Sequence, residues 1–315
     1  MKSRVLLSVL TLVLLNACAA IAPLPAGAGS ADPRQPNPTA LLEPTTTPTN
    51  GPLLPVGPSP FPETPTATQA FKPSITPFST ATPTPTWISQ GPNKIICPIL
   101  LYHRIAVHSN GNIYYIAPDD FKAQMQALKD WGYTTIPVTL LVKALNFGAE
   151  LPARPIIISF DDGDETVYSQ AFPIMQELGF TGVNYIVYNY VGAEGYMNVD
   201  QIKVLAASGW ETGSHSLSHI DLTASKHLEW EIIDSRHYLE KMLGVRVETF
   251  AYPFGKVNGD VRSIVRDNYR AGMGLGVYLT QRSADIYYMW RRPVEPGWDL
   301  KEFGSFLPWN SPLQP

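Results

Sequence analysis

Cysteine is almost absent. Cys18 and Cys97 are the only two in 315 residues, which excludes a disulfide framework and leaves any folded part to an ordinary core. Charge is scarce too. Charged residues make up 16% of the chain, the net charge is −4 and the pI is about 5.9, so no basic footprint for nucleic acid exists. Histidine is rare, and none follows His237. The apolar run over 5–15 is too short for a comfortable membrane span.

Proline, by contrast, is abundant and unevenly placed. Of 30 prolines, 18 fall within 19–92, beside 13 threonines and only five charged residues. Runs such as Ala81-Thr82-Pro83-Thr84-Pro85-Thr86 favour extended polyproline-like conformers and offer no regularly spaced apolar face. The expectation is a disordered Pro/Thr-rich linker over 19–92, about 50 Å long as a coil and about 200 Å if extended. Ahead of it, Lys2 and Arg4 precede the apolar run, which ends in Leu15-Asn16-Ala17-Cys18. That ending resembles the lipobox of bacterial lipoproteins, with Asn16 an unusual choice. The resemblance implies a signal peptide over 1–18, cleavage before Cys18 and a lipid on its thiol, hence an extracytoplasmic, membrane-anchored protein. An ordinary secretory signal with an incidental cysteine is the alternative, and it also exports the chain.

From 93 onward the composition supports a fold. A short apolar run over 95–102 fits a buried strand, and Phe121, Met125, Leu128 and Trp131 have helical spacing, stopped by Gly132. Further strands are expected over 133–138, 156–160, 182–187, 211–214, 247–251 and 271–277. Helices are expected over 167–178, 199–208, 225–243 and 260–269. Apolar strands alternating with amphipathic helices predict an α/β fold. A domain over 93–315 suits a distorted (β/α)7-type barrel, with seven or eight units by length.

In such barrels reactive groups sit where strands end. Ile99-Leu100-Leu101-Tyr102 runs into His103, and Ile156-Ile157-Ile158-Ser159-Phe160 into Asp161-Asp162-Gly163. Trp210-Glu211-Thr212-Gly213-Ser214 runs into His215-Ser216-Leu217-Ser218-His219, and Thr249-Phe250-Ala251 into Tyr252-Pro253-Phe254-Gly255. Two histidines four apart on one helical turn aim at one point, and with one aspartate and an open position they suit zinc as a Lewis acid. Adjacent aspartates in extended backbone face opposite sides, so one can ligate while the other acts as general base. A plain Asp-Asp-Gly turn is the structural alternative.

Ser159-Phe160-Asp161-Asp162-Gly163 and His215-Ser216-Leu217-Ser218-His219 resemble, in order and separation, the first two motifs of the polysaccharide deacetylases (NodB-homology, carbohydrate esterase family 4). The resemblance implies Asp161 as general base and Asp162, His215 and His219 as ligands of a divalent metal, expected to be zinc. Phe250-Ala251-Tyr252-Pro253-Phe254-Gly255 resembles the third motif, which implies that Tyr252, Pro253 and Phe254 form the acetyl and oxyanion pocket and that the motif offers a backbone N–H to the oxyanion. Two family features are missing. Ala251 stands where an arginine is common, and no late leucine-x-histidine supplies the acid. Both gaps resemble the poly-N-acetylglucosamine deacetylase branch, in which an early Tyr-His, here Tyr102-His103, places the acid. Arg291 or Arg292 is then the candidate to replace the missing arginine beside the base. The expected partner is an N-acetylated polysaccharide, with peptidoglycan or chitin-type substrates, or a catalytically silent glycan binder, as alternatives. His108, His227, His237, Cys97, Trp298 and Trp309 receive structural readings, and Asp164 and Glu165 either gate the pocket or solvate a loop.

Overall fold

The computed structural model describes residues 86–107 and 111–313. The signal segment, Cys18, most of the expected linker and His108 lie outside the described residues. Seven parallel strands form the centre: β1 (Ile99–Tyr102), β2 (Pro155–Phe160), β3 (Val183–Ile186), β4 (Glu211–Ser214), β5 (Thr249–Ala251), β6 (Ala271–Met273) and β7 (Arg292–Pro293). Their spatial order is β7-β1-β2-β3-β4-β5-β6. The segment leading into β7 also bonds the far end, since Met289 N–H donates to Gly272 O and Gly276 N–H to Arg291 O. The sheet therefore curls until its two end strands share the segment 289–293. That is the expected seven-unit, distorted barrel.

Alternation along the strands sorts the side chains. Ile156, Ile158 and Phe160 join the outer core with the helices, whereas Ile99, Ile157, Val183, Tyr185, Ala251 and Met273 form a second, inner cluster. Each such buried aliphatic or aromatic side chain contributes about 1.5–3 kcal/mol. The interior is full: a Cβ on Gly213 would lie 2.3 Å from the Tyr185 ring. Following the same parity, Asp161 and Arg291 emerge on the inner side.

Helices α1 (Pro118–Asp130), α3 (Phe172–Glu177), α4 (Val199–Ala207), α5 (Ser235–Leu243) and α6 (Gly259–Asn268) fall where periodicity placed them. Short π-helical turns, Val167–Ala171 and Trp230–Asp234, lead into α3 and α5. Helix α4 starts on a reciprocal cap between Asn198 and Gln201. Among the described residues no helix is long and apolar enough to cross a membrane.

Four expectations need correction. The stretch over 133–138 is a strand only at Thr134–Thr135, and an unexpected helix α2 (Val138–Phe147) follows Pro137. Its Val138, Leu141 and Leu145 belong to the inner cluster, so tertiary burial outweighs β-branched propensity there. The run over 95–102 is not one strand, because Pro98 lacks an N–H. Lys94–Ile96 pairs with Thr280–Arg282 instead. The expected linker boundary also shifts. Trp87–Gln90 pairs antiparallel with Ala149–Pro152, so the folded part begins before residue 93. Finally, a six-residue helix, α7 (Leu300–Ser305), follows an Asp299 cap that sequence periodicity did not reveal.

Candidate active site

The strand ends bring the expected residues together. His103 after β1, Asp161 and Asp162 after β2, His215 and His219 after β4, Tyr252 and Phe254 after β5, and Arg291 before β7 line one cavity of about 420 Å³. Pro253 is buried and does not line it.

Asp161 is 3% exposed and bound on both oxygens: Arg291 Nη1 donates to Oδ1 at 2.6 Å and Nη2 to Oδ2 at 2.7 Å. Arg291 is itself 1% exposed, donates through Nε to Gly274 O and lies over the Tyr185 ring. Burial pushes the Asp161 carboxyl up, but the Arg291 guanidinium and His215 outweigh it and hold the value at about 2. Of the two arginine candidates, the structure selects Arg291. Arg292 turns outward, its guanidinium 4.0 Å from the Phe306 ring centre and 5.5 Å from that of Trp298.

Asp162, His215 and His219 each offer one ligand atom, all within 4.8 Å of one another. Asp162 Oδ1 is buried without a hydrogen-bond partner, 3.6 Å from His215 Nε2 and 3.5 Å from His219 Nε2. An unpaired buried carboxylate oxygen facing two imidazole nitrogens fits a divalent cation. Ala251 O lies 2.8 Å from His215 Nδ1, which places the proton there and leaves Nε2 a free lone pair. Burial also holds His215 near a value of about 4, so its ring is neutral. Burial lifts the Asp162 carboxyl to about 6.

Two local geometries differ from expectation. The His215–His219 spacing is not a helical turn: Ser216 (φ 69°) and His219 (φ 57°) are left-handed, and Ser216 Oγ accepts from His219 N–H. Asp162 is not extended either. Its φ of 74° turns it back into the cavity beside Asp161 instead of away from it. Non-glycine residues in this region carry strain that the surroundings must hold.

His103 is half-buried, with its ring edge-to-face against Tyr114 at 4.7 Å. Burial lowers its pKa, and the charges of Asp161 and Asp162 offset only part of that. The third motif supplies less than expected. Tyr252 N–H donates to Met273 O and Pro253 has none, so the Phe254 N–H is its remaining donor for an oxyanion. The Phe254 ring meets His219 edge-to-face at 4.7 Å at the cavity mouth.

The other residues resolve plainly. Asp164 does not line the cavity; it binds Arg104 Nε at 2.8 Å and accepts from Thr166. Glu165 accepts from Ser169 on α3's approach. Cys97 is fully buried, Trp298 and Trp309 pack against the core, and His227 and His237 are exposed. Sequence reasoning passed over Glu231, whose carboxylate is buried beneath the 215–219 loop. Its only signal was an acidic residue on the inward side of a helix.

The family model for polysaccharide deacetylase matches residues 148–271. YxkH of Bacillus subtilis, a candidate polysaccharide deacetylase, is 26% identical over 71% of this chain and 80% of its own length. The poly-beta-1,6-N-acetyl-D-glucosamine N-deacetylase of Staphylococcus aureus is 29% identical over 54% of this chain. That match spans only 63% of the staphylococcal enzyme. The Streptococcus pyogenes deacetylase PplD, solved in complex with acetate, superimposes with a TM-score of 0.62 at 26% identity. The superposition covers 71% of this chain and 99% of PplD.

Proposed function

We propose, from the match of residues 148–271 to the polysaccharide deacetylase family model, a metal-dependent N-deacetylase that acts outside the cell on poly-N-acetylglucosamine. The reaction class is hydrolysis of an acetamide to acetate and a free amine. One observation carries the reading: the unpaired Asp162 oxygen and two imidazole nitrogens face one point, beside an ionised Asp161 and His103 in the same cavity.

Asp162, His215 and His219 would hold a divalent ion, zinc by the donor set, which supplies Lewis acidity to the acetamide carbonyl and to water. Asp161 accepts the proton of the attacking water, and Arg291 fixes its orientation through two parallel bonds. The Phe254 N–H donates to the developing oxyanion. His103 gives its proton to the nitrogen as the C–N bond breaks, because an amine leaves well only when protonated. Leu275 and Tyr252 also line the cavity.

Two features favour poly-N-acetylglucosamine over chitin or peptidoglycan. His103 lies inside the cavity while no histidine follows His237, and relatives at 29% identity are named for that substrate. Acetate release from β-1,6-linked N-acetylglucosamine oligomers, chitin oligomers and peptidoglycan, with and without chelator, tests the reading. Preference for chitin or peptidoglycan would move the substrate assignment, and release from none would favour a silent glycan binder. The lipobox-like ending at Cys18 supports export and a membrane tether.

A further inference from the structure

We propose that Glu231 is a positioning residue for the metal site, a carboxylate brace that holds the 215–219 loop in the shape that turns His219 toward Asp162. The proposal rests on the metal-site reading above. Glu231 is 4% exposed and has no cationic partner within salt-bridge distance among the described residues. Among the described residues its carboxylate oxygens are met by the loop. Oε2 accepts from Leu217 N–H at 3.1 Å and Ser218 N–H at 2.9 Å, and Oε1 accepts from the Ser218 hydroxyl. Its backbone carbonyl also accepts from Leu217 N–H, at 3.0 Å.

Those donors lie between the two left-handed residues, Ser216 and His219. Without a partner, a loop bent that way would relax toward ordinary backbone angles, and His219 would swing from the point it shares with Asp162 and His215. His215 needs no such help. It continues from β4, and Ala251 O fixes its ring. His215 is thus set by its strand and the Ala251 carbonyl, whereas His219 depends on the loop. Glu231 in turn is held by the Trp230–Asp234 π-helical turn, where Ile232 is fully buried. A π-turn shifts the side-chain phase and directs the carboxylate inward while Trp230 stays 52% exposed.

The test uses the full chain as wild type, Glu231→Ala, Glu231→Gln and Ser218→Ala. Zinc affinity is read by competition with a chromogenic chelator, and cobalt-substituted protein gives the visible spectrum of the ligand field. Thermal unfolding of the metal-free proteins checks the fold. Glu231→Ala should weaken zinc binding by about 10–100-fold and alter the cobalt spectrum. Glu231→Gln keeps an oxygen for the two N–H groups and an NH2 that the Ser218 oxygen can accept, so it should restore affinity to near wild type. Ser218→Ala removes one bond and should weaken binding several-fold. A folded Glu231→Ala with wild-type affinity and spectrum would overturn the brace. If Glu231→Ala does not fold, unchanged zinc affinity in Ser218→Ala would do the same. A wild type that binds no zinc would instead remove the metal site itself, and the brace with it.

Discussion

Removing Arg291 should invert the acid response of the fold. In the native protein Asp161 sits at about 2 against an ordinary 3.8. A depressed carboxyl contributes stability that is present above the unfolded value and lost as pH falls through the folded one. The difference corresponds to about 2 kcal/mol, lost between roughly pH 4 and pH 2. Arg291→Met leaves the carboxylate buried at 3% exposure with burial pushing its pKa upward. Breaking a buried pair in this way costs about 3–5 kcal/mol at neutral pH. For a domain of this size that is a fall in Tm of roughly 6–20 °C. With its folded pKa now above the unfolded value, Asp161 should make the variant gain stability as pH falls toward 4, the opposite slope to wild type. The assay is thermal unfolding of both metal-free proteins at a series of pH values, where taking the difference cancels the other titrating groups. Adding Asp161→Asn to Arg291→Met should recover part of the lost Tm, since no charge is then stranded. Parallel pH profiles with Tm values within a degree or two would refute the ion pair as the control on Asp161.

His103→Ala should keep the fold and the zinc stoichiometry while lowering kcat by about 10²–10⁴. Because burial holds His103 below 6.5, a protonated acid there makes kcat/KM fall as pH rises through a value under 6.5. That limb should vanish in the variant, and near-normal turnover would remove His103 from the chemistry. Chelation should abolish acetate release and zinc restore it. His215→Ala should lose bound metal by elemental analysis, full stoichiometry excluding it as a ligand. At the N-terminal side, Cys18→Ser should move the protein from membranes to the soluble fraction. Deletion of 19–79 should leave activity on soluble oligosaccharides intact, whereas deletion through Pro92 should lower Tm by removing the strand paired with Ala149–Pro152.

Strand ends were legible because a parallel barrel writes them as apolar runs that stop at polar clusters, and Asp161, Asp162, His215 and His219 stand at such stops. His103 followed from the same rule. The sequence by itself placed six of the seven barrel strands and the polar clusters at their ends, since these depend on local periodicity and on order along the chain, but not the short closing strand Arg292–Pro293. Tertiary structure decided what depends on distant partners. Arg291 and Arg292 are adjacent and chemically identical, and only inward parity near β7 joins Arg291 to Asp161, 130 positions away. The left-handed angles at Asp162, Ser216 and His219 follow no propensity of those residues. They persist because buried partners hold them, Glu231 among them, and a carboxylate that contacts a loop through folding leaves no periodic trace in the chain.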